Sequence, residues 1–242
     1  MALKVAWFSA GVSSAVAVKL VADSLDEIIY THIEDQHPDT LRFLSDCEKW
    51  FGKPITILQS PYKTVEAAVL SAGGRGYING PKGAACTRIL KRRVRKEWEL
   101  ERDYKGLQYT CVWGLDKTET GRAERVVAHM PKQFHEFPLI DSGITKEVAH
   151  KMLAASGVNR PAMYDLGYHN NNCIGCVKGG MGYWNKIRID FPDVFAQRAL
   201  LERDVGHSCV KSVFLDELDP ERGRHAGPIC EDCGIFCEAM SI

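Results

Sequence analysis

The reading of the fold turns on Lys4 to Val21: Lys4-Val5-Ala6-Trp7-Phe8, then Ser9-Ala10-Gly11-Val12-Ser13-Ser14, then Ala15-Val16-Ala17-Val18-Lys19-Leu20-Val21. A short buried strand, a turn of small residues and an apolar run of helix length follow one another. Such a turn exposes backbone N–H groups at a helix N-terminus. Unpaired donors and the helix dipole favour an anion there, and small side chains let a phosphate approach closely. Ser9, Gly11, Ser13 and Ser14 meet that need, although a plain tight strand-to-helix turn uses the same residues. The turn lacks the Lys of a Walker loop and the spaced glycines of a dinucleotide fingerprint, so neither common nucleotide fold matches it.

Outward from this segment the alternation continues. Glu27 to Ile33 reads as a second strand, and Pro38 opens a helix with apolar positions Leu41, Leu44, Cys47 and Phe51 that Gly52 stops. Ile55 to Leu58 and Tyr109 to Trp113 read as further strands. The pattern predicts an α/β protein with a doubly wound, mostly parallel sheet, its ligands at the carboxyl ends of the strands. Gly114-Leu115-Asp116 follows a strand end, and Arg122 and Arg125 come just after it, which makes Gly114 and the two arginines candidate phosphate contacts. The glycine-rich stretch from Ser71 to Ala85 reads as an ordered loop or lid, and Thr145 to Gly157 as a surface helix. Residues 1–157 are expected to form the nucleotide-binding domain. Residues 158–242 are expected to form an irregular, cysteine-rich region packed on it.

The 242 residues allow one large domain or one with a small appendage, and 45% apolar with 26% charged residues excludes a disordered or collagenous chain. Thirty-one basic and 31 acidic residues cancel, so a nucleic-acid partner would need a local patch. No stretch offers 18 uninterrupted apolar residues, which predicts no membrane span; the N-terminus carries no secretory pattern, so the chain is expected to be cytoplasmic. Its nine cysteines are then reduced thiols, and clusters of them argue for metal or redox chemistry.

Cys173-Ile-Gly-Cys176 has the spacing at which two thiolates reach one metal, with Gly175 easing the turn. Cys230, Cys233 and Cys237 form a second cluster, and Cys86 precedes a basic helix from Thr87 to Lys96, at an N-terminus that favours thiolate. Spacing alone leaves open a structural zinc and an iron–sulfur cluster beside a nucleotide. Cys209, beside His207, is a substitute for one tail ligand. Cys47 and Cys111 read as small core residues. Arg88, Lys91, Arg92, Arg93, Arg95 and Lys96 are too many cations for one helix face; they are either a solvated surface or, in part, a clamp for phosphates or a polynucleotide. Among the histidines, His169 stands near the cysteine pair.

Taken together, these segments resemble the phosphoadenosine phosphosulfate reductase family, within the adenine nucleotide alpha hydrolases, with the nearest likeness to reductase-like proteins of bacteriophages and prophages. Ser9-Ala10-Gly11-Val12-Ser13-Ser14 looks like the family's pyrophosphate-binding loop, with Ala10 where Gly is usual and Ser13 where ATP-cleaving relatives carry Asp. Glu34 to Thr40 looks like the segment after the second strand that ends in an acid and Thr. Cys86 and the basic residues after it, Gly167-Tyr168, and Cys173 with Cys176 are similar to the motifs of cluster-bearing members, which have an adjacent cysteine pair where Cys86 stands alone. Asp232-Cys233-Gly234-Ile235-Phe236 looks like the C-terminal motif whose cysteine attacks sulfur, with Phe236 where reductases have His. The resemblance implies ATP or an adenylyl sulfate as substrate, Cys233 as nucleophile, and a thiol reductant protein as partner. It also implies a four-iron four-sulfur cluster on Cys86, Cys173 and Cys176, with Cys237 or Cys233 as fourth ligand or the fourth position open. A sulfurtransferase that thiolates a nucleobase with ATP, and a non-catalytic zinc-stabilised module that binds nucleotide or nucleic acid through residues 88–96, are the alternatives; a homodimer is compatible with each.

Overall fold

The computed structural model describes residues 3–71, 73–80, 83–104, 108–211 and 213–225. Their elements run β1 (Leu3–Phe8), α1 (Val12–Val21), β2 (Glu27–His32), α2 (Asp39–Phe51), β3 (Thr56–Gln59), α3 (Val65–Leu70), a π-helical turn (Thr87–Arg92), α4 (Arg93–Tyr104), β4 (Tyr109–Val112), α5 (Thr120–His129), β5 (Phe134–Glu136), α6 (Pro138–Asp141), α7 (Lys146–Ala155), α8 (Ala162–Asp165), α9 (Met181–Asp190) and α10 (Pro192–Val205).

The sheet order is β3-β2-β1-β4-β5. β1 pairs in parallel with β2, Val5 opposite Glu27, and with β4, Val5 opposite Cys111; β4 pairs in parallel with β5. Alternation along the central strand sends neighbouring aromatics to opposite faces. Phe8 meets Phe51 of α2 edge to face at 5.6 Å, and Trp7 meets Trp98 of α4 at 5.3 Å. With helices on both faces, the doubly wound α/β expectation holds. Val12 to Val18 of α1 are all buried, which explains an apolar run without a polar face. α2 starts one residue after Pro38 and ends at Gly52, whose φ of 72° supplies the left-handed C-terminal residue. The order reverses across β1, whose neighbours β2 and β4 lie on opposite sides, and a crevice at the carboxyl ends of β1 and β4 is where ligands of such sheets bind.

Two expectations change, and the sheet gains a strand that no sequence pattern marked. β3 runs from Thr56 to Gln59 instead of Ile55 to Leu58, and three of its four residues are exposed, as befits an edge strand. β5, only three residues long, is too short for a readable period. Among the described residues after 158, the chain is less irregular than expected, since α9 and α10 supply 10 and 14 helical residues. α10 buries Arg198, Leu201 and Glu202 on one side, and its charged side chains hide that face from a hydrophobicity pattern. No helix among the described residues is long and apolar enough to cross a membrane.

The described residues fall into two compact units: those within 3–32, 38–58 and 94–171 form one, and those within 33–37, 59–93 and 172–225 form the other.

Candidate functional site

In the first unit, the chain leaves β1 at Ser9 and turns at Ala10, a non-glycine residue at φ 59° with no exposed surface. Gly11 is the N-cap of α1 and offers no side-chain cap, so the Ser13 and Ser14 N–H groups of the first turn are left without one. Val12 N–H donates to Tyr164 Oη at 3.3 Å, and Ser9 N–H donates to Ser14 Oγ at 3.1 Å. Ser13 is 2% exposed, and its hydroxyl has no hydrogen-bond partner among the described residues. A buried hydroxyl without a partner at an uncapped helix start is costly unless something binds there. A bound anion would satisfy both features.

Gly114 follows β4 at the same rim. A Cβ on it would lie 2.4 Å from the Ser14 Cα, so the absence of a side chain lets the β4 end pack against the first turn of α1. Gly114 thus has a packing role at this rim. Asp116, 4% exposed, accepts from Thr118 N–H at 2.7 Å, and Glu119 reaches back to Asp116 N–H at 3.1 Å in a capping box. Arg122 is ion-paired with the same Glu119, whereas Arg125 is exposed. Of the two arginines expected to meet phosphate, one is engaged in the protein and the other faces solvent.

In the second unit, Cys86, Cys173 and Cys176 line one small cavity with Ile33, Val65, Thr87, Lys91 and Val177. All three thiols are buried and none is in a disulfide. Cys86 enters the cavity from the residue before the π-helical turn, a rare geometry that recurs at functional sites. The other two thiols come from a turn fixed on both sides. Gly175 has φ 67°, and a Cβ there would lie 2.7 Å from Val194 Cγ1. Tyr183 of α9 accepts from Cys176 N–H at 2.9 Å and donates to the Cys173 carbonyl at 3.2 Å. Ile174 N–H donates to the Asp35 carbonyl at 2.8 Å, and Gln36 bridges Cys173. The Asp35 carboxylate in turn accepts from Val65 N–H at 2.7 Å and pairs with Arg198 of α10 at 2.9 Å.

One turn along α10 from Arg198, the carboxylate of Glu202 has no exposed surface and accepts from the N–H groups of Cys209 and Leu215. Burial pushes both the Glu202 carboxyl and the Cys209 thiol upward. Three soft thiol donors around one cavity suit a thiolate-bound metal or iron–sulfur cluster in chemistry. Among the described residues, however, no group of three or more His, Cys, Asp or Glu side chains takes metal-holding geometry. Cys230, Cys233 and Cys237 lie outside the described residues, so the expected nucleophile and fourth ligand carry no geometry.

The remaining candidates separate. Cys47 and Cys111 are buried thiols raised by desolvation, Cys111 to about 12, as expected of core residues. The basic run is not one solvated face. Arg95 is 4% exposed, pairs with Glu99 at 3.2 Å and donates to Met130 Sδ; Arg88 lies over the Tyr77 ring and donates to the Gly73 carbonyl. His169 is exposed, and its carbonyl accepts from Lys146 at 2.6 Å.

Residues that sequence reasoning passed over do much of the positioning. Tyr164 and Asn171 hold the loop after β1, and Tyr183 and Arg198 hold the cysteine turn. Only the run Asn170-Asn171-Asn172 beside Cys173, three small amides that are all buried, gave a signal that could have marked one of them.

No curated protein matches this chain. The phosphoadenosine phosphosulfate reductase domain matches residues 4–179 of 242, from β1 through the Cys173/Cys176 turn. By that match, which spans the loop after β1 and all three thiols of the cavity, the chain belongs to the phosphoadenosine phosphosulfate reductase family.

Proposed function

We propose that this chain is an enzyme that holds an adenine nucleotide by its phosphates on Ser9, Ala10, Gly11, Ser13 and Ser14 and reduces an activated sulfate through cysteine thiols. Membership of a family of nucleotide-binding, sulfur-handling enzymes supports the class of reaction. The observation that carries the reading is the uncapped first turn of α1, with the partnerless Ser13 hydroxyl at the carboxyl end of the central strand.

The loop binds and orients. The Ser13 and Ser14 N–H groups and the Ser13 hydroxyl donate to phosphate oxygens, and Arg125, being exposed, is free to add a cation; Arg122 joins only by leaving Glu119. The thiolate of Cys233, assigned by its resemblance to the family's C-terminal motif, attacks the sulfur of an adenylyl sulfate. A sulfur–sulfur bond forms, the bond from sulfur to the phosphate oxygen breaks, and the adenosine phosphate leaves with the bonding electron pair. A thiol of a reductant protein then attacks the cysteine sulfur of the S-sulfo enzyme; sulfite departs and a mixed disulfide remains, which a second thiol of the reductant reduces. Cys86, Cys173 and Cys176, with Cys237, are the residues that would hold a four-iron four-sulfur cluster, which supplies low-potential electron storage when bound.

The test incubates anaerobically purified protein with adenylyl sulfate, with its 3′-phosphorylated form, and with ATP. Sulfite release that disappears in Cys233→Ser is the expected outcome. Pyrophosphate or AMP release from ATP without sulfite would replace this reading with nucleobase thiolation. Protein containing zinc, with no iron and neither activity, would reduce the chain to a binding module.

A further inference from the structure

Ala10 sits in the left-handed region at φ 59°, which a residue with a Cβ rarely adopts, and it is fully buried, so water cannot hold its backbone. Its carbonyl is held by Asn171. The amide Nδ2 donates to Ala10 O at 2.9 Å and to Thr40 Oγ1 at 3.2 Å, with Asn171 6% and Thr40 1% exposed. A backbone carbonyl only accepts, so the nitrogen of the amide must face it, and the orientation of Asn171 is fixed by chemistry. Asp in its place would aim a carboxylate at a carbonyl oxygen. Next along the chain, Val12 N–H goes to Tyr164, leaving Ser13 and Ser14 to face a ligand.

We infer that Asn171 is the positioning residue of the phosphate loop: it locks the left-handed turn at Ala10, and that turn aims the first-turn N–H groups of α1 at the phosphates. This role rests on the nucleotide reading above and extends it to a residue that acts by holding the loop. It also gives Asn171 a task distinct from the thiol turn that begins two residues later.

The experiment uses the full chain and measures ATP and adenylyl sulfate affinity together with amide hydrogen exchange. Asn171→Asp and Asn171→Ala are each expected to lose about tenfold or more in nucleotide affinity. Their Gly11 to Ser14 amides should exchange faster while the rest of α1 keeps its protection. Adding Ala10→Gly, which frees the turn from its Cβ penalty, should restore about threefold of the lost affinity. Thr40→Val, which leaves the bond to Ala10 in place, should bind nucleotide within about twofold of the parent chain.

Wild-type affinity and wild-type loop exchange in both Asn171 variants would overturn the inference. So would an affinity loss that Ala10→Gly does not recover and that comes with faster exchange throughout the unit, since that is general destabilisation. A parent chain that binds neither nucleotide defeats the proposed function, and the exchange comparison still decides whether Asn171 holds the loop.

Discussion

The loop after β1 and the thiol cavity are built by different means. The loop is placed by the sheet: a central strand buried from Val5 to Phe8 ends, a helix begins, and Gly114 lets the neighbouring strand end close against it. The cavity is placed by single side chains reaching backbone: Tyr183 on both peptide groups of the cysteine turn and Asp35 on Val65. A site set by topology tolerates changes around it. A site set by buried polar clamps depends on each of them, because a donor left unpaired in the interior keeps its full desolvation cost.

That contrast is open to attack, beginning with its largest expected effect. Asp35→Ala removes the partner of Arg198, which is 5% exposed, and should destabilise the chain by about 3–5 kcal/mol in chemical denaturation, as expected when one half of a buried pair is deleted. A loss under about 1 kcal/mol would show that the clamp network is dispensable. Gly114→Ala should cost about 1–3 kcal/mol, since the new methyl must push the β4 end off Ser14, and nucleotide affinity should fall with it. If affinity is kept, the close approach serves packing alone.

Tyr183→Phe deletes the hydroxyl that serves both Cys173 and Cys176, at a cost of about 1–2 kcal/mol. Cys173 and Cys176 should then be alkylated faster than Cys86, a difference that peptide mass mapping reads directly. The smallest effect concerns pH. His150 of α7 is held near a pKa of about 4 by burial first, then by Lys146 and Arg160. In the unfolded chain it titrates near 6.5. Between those values the unfolded state binds more protons, so stability should fall as pH drops from about 6.5 towards 4 and stay level above that window. His150→Gln should flatten this slope; an unchanged slope would place its origin elsewhere.

How much was legible follows from the same contrast. The strand, turn and helix from Lys4 to Val21 could be read because the burial that orders them is written as a continuous apolar run. β5 was missed because Phe134 to Glu136 has too few residues to show a period. α10 was missed because the side it buries carries Arg198 and Glu202, two charges that satisfy Asp35 and two backbone N–H groups. Cys86 could be joined to Cys173 and Cys176 through family resemblance and thiol chemistry, and the three do share a cavity. The side chains that fix the cavity could not be found, since a tyrosine hydroxyl or an aspartate aimed at distant backbone leaves no local pattern. Arg122 adds a feature that no pattern marked: the cation after the strand end is ion-paired with Glu119, three residues before it.

Transfer of radiolabelled sulfonate from adenylyl sulfate to the protein, without added reductant, would reveal the proposed covalent S-sulfo enzyme itself. Label should appear on a single tail peptide containing Cys233, be released as sulfite by added thiol, and vanish in Cys233→Ser while nucleotide affinity stays the same. Label that remains on intact nucleotide, with the protein shown to bind it, would contradict sulfonyl transfer to this chain.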